Sequence, residues 1–139
     1  MSTGYYGQSR DTHPHGGTPE GLMNQIREEF GEIYDPCPNG FKVDGLAVEW
    51  PIDKTAYVNP PYTRGEIGKW AKKCFEQHQR GVRVVLLIPS YTDTTYFHEY
   101  IYGTAALRFI RGRLKFGGYG GKPASFPSML CIFEPEVSE

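Results

Sequence analysis

Residues 82–88, Val-Arg-Val-Val-Leu-Leu-Ile, are apolar at every position but one. A strand of that composition has to be covered on both faces, so the sheet that contains it needs helices above and below. The flanking sequence offers them. Leu22, Ile26 and Phe30 recur every fourth residue after Thr18-Pro19-Glu20, with Met23 beside them and Gly31 closing the run. That spacing predicts a helix capped by Thr18, with Pro19 in its first turn and Glu20 near the positive end of its dipole. Ile67, Trp70, Ala71, Cys74 and Phe75 share one face of a second helix, and Lys69, Lys72 and Lys73 lie largely off it as a solvated surface. Asp93 can cap a third helix running to Tyr102 and closed by Gly103.

Short apolar runs separate these helices. Residues 32–35 read as a strand ending at Asp35, stopped by Pro36, and residues 55–58 read as a second. Residues 106–110 and 113–116 read as a strand pair around Arg111-Gly112, and residues 128–133 as a final strand; residues 36–54 are loop-like. Strands alternating with helices imply an α/β fold with a mostly parallel sheet and antiparallel pairing at its C-terminal edge. Ligands of such sheets bind outside the C-terminal ends of the strands, which would set Asp35, Asn59 and Pro89-Ser90 along one edge.

A length of 139 residues limits this to one domain. Residues 1–17 are polar, glycine-rich and aperiodic, and read as a mobile arm ahead of a single domain over 18–139. Seventeen Gly, eleven Pro and ten Tyr suit long, shaped loops of the kind that carry sites. The net charge of -1 supplies no global positive field, so any nucleic-acid contact has to come from a local patch or a homo-oligomer. The first ten residues lack a basic start with an apolar run, and the longest apolar stretch, 84–88, is far short of a membrane span. Cys37, Cys74 and Cys131 are odd in number and form no CxxC pair, which suits a reduced, cytoplasmic setting. His13 and His15 have no further ligands close in sequence, so no metal is expected.

Asn59-Pro60-Pro61-Tyr62, directly after a short strand and before an amphipathic helix, is the most informative tetrapeptide. Two prolines make the turn stiff and stop it from continuing a sheet ladder. The Asn59 amide oxygen and the Pro60 carbonyl can accept both hydrogens of a planar ring's exocyclic amine, while Tyr62 stacks on the ring. Two such acceptors draw the nitrogen lone pair out of conjugation and toward an electrophile. A plain Pro-Pro turn with a surface tyrosine is the alternative reading of the same residues.

Asn59-Pro-Pro-Tyr62 resembles motif IV of the amino-directed methyltransferases that use S-adenosylmethionine. Thr18-Pro19, Phe30 to Asp35-Pro36-Cys37, Asp44-Gly45-Leu46 with Trp50, Asn59 to Tyr62 and Trp70 together resemble the phage-type DNA N6-adenine methyltransferases. Leu87-Ile-Pro89, Asp93-Thr94 with Phe97, and residues 109–116 fit the same family, so the resemblance spans about Thr18 to Phe133. It implies a Rossmann-like class I methyltransferase sheet and transfer of a methyl group from S-adenosylmethionine to adenine N6 in DNA. It also implies that Asp35, Pro36 and Cys37 lie by the methionine end of the cofactor, with Thr18 and Pro19 closing over the same pocket. Asn59 and Pro60 would hold the amine, Pro61 would stiffen the turn, and Tyr62 would stack on the base. Asp44 or Glu49 would serve the ribose, or be solvated loop acids. Pro38-Asn39-Gly40 stands where a glycine-rich turn is usual. The 23 residues between Asp35 and Asn59 are too few for two full strand–helix units, so the sheet is expected to be reduced.

A base inside a duplex cannot reach a pocket, so the substrate would be single-stranded DNA or a flipped adenine. Arg108, Arg111, Arg113, Lys115 and Lys122, interleaved with Phe109, Phe116 and Tyr119, form a surface suited to DNA phosphates and bases, or else an edge strand guarded by charge. Two other functions share this sequence: a methyltransferase-fold binding module without catalysis, and methylation of a protein or small-molecule amine or amide.

Overall fold

The computed structural model describes residues 17–38, 44–117 and 121–136. The arm at 1–17 therefore lies outside the described residues except for Gly17, as do His13, His15, Asn39, Gly40 and Tyr119.

Five strands form one sheet: β1 (Ile33–Tyr34), β2 (Thr55–Val58), β3 (Arg83–Pro89), β4 (Ala106–Phe109) and β5 (Ser128–Phe133). Their spatial order is β1-β2-β3-β5-β4. β1, β2 and β3 are parallel, with Tyr34 opposite Ala56 and Val58 opposite Leu86. β5 runs antiparallel to β3 and to β4, so β4 shares the direction of the first three strands. The sheet is thus parallel with one reversed strand inserted near its edge.

Alternation along the strands divides the core in two. On one face Tyr57, Val85, Leu87, Leu130 and Ile132 pack against Ile26 and its neighbours on α1 (Glu20–Phe30). On the other, Val58, Val84, Leu86, Ile88, Met129 and Phe133 meet Ile67, Trp70, Ala71 and Cys74 of α2 (Glu66–Gln79) and Phe97 and Ile101 of a π-helix (Phe97–Ile101). β3 is buried from Val84 to Pro89 because both faces are covered. No helix among the described residues is long and apolar enough to cross a membrane.

Three local expectations are corrected. Thr18 does not cap α1: Pro19 occupies the N-cap position without a side-chain bond, and the Thr18 hydroxyl turns to β2 instead. Asp93 does not cap a long third helix; the Thr94 hydroxyl accepts from Phe97 N at 3.4 Å, and the turn that follows is the short π-helix. Residues 113–116 form no strand: although β4 is the edge strand, Leu114 and Phe116 join the apolar cluster around Ile26 instead of pairing with it. They fold back over the α1 face, where Phe116 is buried and Leu114 O accepts from Ala124 N at 2.8 Å.

The described residues 44–54 before β2 are fixed from below. Buried Trp50 stacks on Trp70 at 6.5 Å, its indole N–H donates to Gly45 O at 2.9 Å, and its backbone N–H donates to Gln77 Oε1 at 2.9 Å. Gly45 lies so close to Pro36 that a Cβ there would fall 2.0 Å from the Pro36 carbonyl oxygen. Only a residue without a side chain lets the two segments meet. Trp50 and Gly45 together hold Pro36 and Cys37 in place.

Candidate active site at the strand ends

The parallel register of β1 and β2 carries Asp35 level with Tyr57, so that Asp35 and Asn59, just past the two C-terminal ends, lie at the same end of the sheet. They line one pocket of about 250 Å³ together with Gly17, Thr18, Met23, Cys37 and Tyr57. Four residues singled out in the sequence thus converge on one cavity: Thr18, Asp35, Cys37 and Asn59.

Asp35 closes a tight turn, its Oδ1 accepting from Cys37 N at 2.9 Å, which sets the carboxylate's orientation. It is solvent-exposed at the pocket, yet the surrounding protein desolvates it enough to push its carboxyl above the ordinary range, against the lowering effect of the Cys37 hydrogen bond. Cys37 is buried, and burial with the nearby Asp35 charge pushes its thiol far up, so it is a neutral wall rather than a nucleophile.

Asn59, 6% exposed, is bound at both ends of its amide. Its Nδ2 donates to Thr18 Oγ1 at 2.9 Å, and its Oδ1 accepts from the Tyr62 hydroxyl at 3.0 Å. The Tyr62 hydroxyl also faces the Leu87 carbonyl at 2.8 Å, so one phenolic hydrogen serves two acceptors. An amine that donated to Asn59 Oδ1 would let that hydrogen settle wholly on Leu87 O. Pro60 and Pro61 are buried, and neither has an N–H with which to extend β2. The Tyr62 ring meets Phe116 and Phe126 edge to face at 6.1 and 5.5 Å, forming an aromatic cluster beside the amide. Burial pushes the Tyr62 phenol well up, so it stays a hydrogen-bond donor.

Asp44 does not line this pocket; its Oδ1 accepts from Leu46 N at 3.0 Å in a turn of its own. Glu49 pairs with Arg80 at 3.4 Å. Among the basic residues, Arg108 is held by Glu29 through two bonds of 2.7 and 2.5 Å and lies over the Phe30 ring. Arg111, Arg113, Lys115 and Lys122 are exposed, and none has an ion-pair partner among the described residues. Their segment is tied to the pocket by a bond from Gly117 N to Gly17 O at 2.9 Å.

Sequence reasoning passed over Tyr57, Met23 and Phe126. Tyr57 could have been found, since a strand's period of two puts it on the same side as Asn59. Phe126 could not, because it reaches Tyr62 only through the folding of the loop before β5.

The family model for DNA N-6-adenine-methyltransferase (Dam) matches residues 15–135, which include every residue of this pocket. Comparison with curated proteins and with solved structures gives no match.

Proposed function

Since the chain belongs to the DNA N-6-adenine-methyltransferase (Dam) family, we propose that it transfers a methyl group from S-adenosylmethionine to the N6 amine of adenine at specific sites in DNA, in the cytoplasm. The observation that carries this reading is the single pocket lined by Asp35 and Asn59. The five-stranded sheet is read as a class I methyltransferase sheet in reduced form, within one domain over 18–139.

The residues present suit one end of the cofactor. A carboxylate with one oxygen engaged by its own turn has the second left for an ammonium group, and Met23 and Cys37 add apolar wall. At about 250 Å³ the pocket is smaller than the roughly 300–1,000 Å³ of sites that enclose a whole drug-sized ligand, so it fits the methionine end. In this reading Thr18, with Pro19 after it, closes over this end, Asp35 and Cys37 line it on either side of Pro36, and Asp44 is the candidate acid for the ribose.

When bound, S-adenosylmethionine supplies an electrophilic methyl group on a sulfonium. Asn59 Oδ1 and the Pro60 carbonyl accept the two hydrogens of the target amine and turn its lone pair toward that methyl. Both acceptors are preset by the stiff turn, so little reorganisation is needed. The amine proton leaves after attack, and no buried general base is required. Tyr62 and Phe126, half-buried over Phe116, offer ring surface to the base, while Arg111, Arg113, Lys115 and Lys122 meet phosphates of a single strand or of a duplex with its adenine flipped out.

The test is incubation with labelled S-adenosylmethionine and DNA, RNA or protein. Label in adenine N6 of DNA is expected. Label in protein alone, or no binding of S-adenosylhomocysteine at millimolar concentration, contradicts the reading.

A further inference from the structure

An asparagine amide can receive an amine only with its oxygen, because its nitrogen end would set donor against donor. We propose that Tyr57 is a positioning residue that fixes the orientation of the Asn59 amide through Thr18. The proposal rests on the reading above, in which Asn59 receives the target amine.

Tyr57 is 2% exposed on β2, two positions before Asn59. Its hydroxyl lies 2.5 Å from Thr18 Oγ1, and the same Oγ1 accepts from Asn59 Nδ2 at 2.9 Å. A phenylalanine would fill the same space without a polar atom to satisfy, so what tyrosine adds here is the hydroxyl, and its partner is Thr18.

A threonine hydroxyl is ambivalent: it can accept from the amide's nitrogen or donate to its oxygen. Tyr57 removes the ambiguity. When the Thr18 hydroxyl donates its one hydrogen to the Tyr57 phenolic oxygen, Oγ1 has none left for the amide oxygen and can only accept from Asn59 Nδ2, while the Tyr57 hydrogen is left to the pocket that both residues line. The amide oxygen then faces Tyr62 and the aromatic cluster, the side on which a base can stack. Burial holds the Tyr57 phenol above its ordinary range, so it stays neutral near neutral pH. Without that phenol, Thr18 can donate to the amide oxygen. The amide then turns over, its nitrogen donating to Tyr62 Oη while the phenolic hydrogen goes to Leu87 O. That inverted chain satisfies every group and presents a donor where an acceptor is needed.

The experiment is proton NMR of the ¹⁵N-labelled ligand-free protein, followed by kinetics. In the wild type the Asn59 side-chain amide hydrogens show nuclear Overhauser contacts to the Thr18 methyl group. In Tyr57→Phe these contacts move to the Tyr62 ring, and kcat falls about tenfold, the worth of one neutral hydrogen bond. The KM for S-adenosylmethionine stays within about twofold, because the ring still walls the pocket. Thr18→Val gives the same shift of contacts should Tyr57→Phe fail to fold. Contacts that remain on Thr18 in Tyr57→Phe, or an unchanged kcat, overturn the proposal. A wild type that methylates no DNA overturns the proposed function instead, and the NMR contacts still decide the role of Tyr57.

Discussion

Asp35 and Asn59, at the ends of neighbouring parallel strands, line the same pocket although 23 residues separate them in the chain. The parallel pairing of β1 with β2 puts both at the same end of the sheet, and the Trp50 anchor and the Gly45–Pro36 approach hold Pro36 and Cys37 beside them. A carboxylate suited to a ligand's cation and an amide suited to a donating amine thus share one wall. In the proposed function such a pairing would put a cofactor end and a target group side by side.

Asp35 gives the site a pH dependence. Its carboxyl titrates above the usual range, and only the ionised form balances a cation. Binding is therefore complete above that raised pKa and is lost as pH falls through it, earlier on acidification than for an ordinary aspartate at about 3.9. Calorimetric titration with S-adenosylhomocysteine should show affinity falling on acidification in the wild type. Asp35→Asn should bind more weakly at neutral pH and lack that fall; matching pH profiles would count against the assignment.

Gly45→Ala should destabilise the protein by about 1–3 kcal/mol, since its Cβ would overlap the Pro36 carbonyl and force the backbone aside. Urea unfolding measures it. The displaced Pro36 and Cys37 should also weaken S-adenosylhomocysteine binding; a variant as stable as wild type would show that the approach is not tight.

The cations divide by their partners. Arg111→Ala with Arg113→Ala should lower the slope of log K for DNA against log salt by about 0.7 per lost contact for a single strand, or about 0.9 for a duplex. Arg108→Ala should change it less, because Glu29 already neutralises that guanidinium. Equal losses for both changes would contradict the division.

What could be read in the sequence was what is set locally. β2, stopped before Asn59, and β5, running through Phe133, have the bounds that their apolar runs suggest, and Gly31, at φ 83, ends α1 as its position implies. The alternation of strands and helices gave the parallel core. Misreadings arose where long-range partners decide. Thr18 before Pro19 is a good cap by its chemistry, but the hydroxyls and amides of β2 outbid the helix end. Residues 113–116 alternate apolar and basic like a strand, yet Leu114 and Phe116 turn to the apolar cluster around Ile26 rather than to the edge of β4. Arg108 looks like a phosphate ligand until Glu29, 79 positions away, is placed beside it.

The central claim is that Asn59 receives the amine of adenine. Transfer of labelled methyl from S-adenosylmethionine to adenine-containing DNA, measured for the wild type and for Asn59→Ala, tests it directly. The account predicts labelled N6-methyladenine with the wild type. For Asn59→Ala it predicts none, with a circular dichroism spectrum and S-adenosylhomocysteine binding that show the fold intact. Methyl transfer that persists in Asn59→Ala would contradict it.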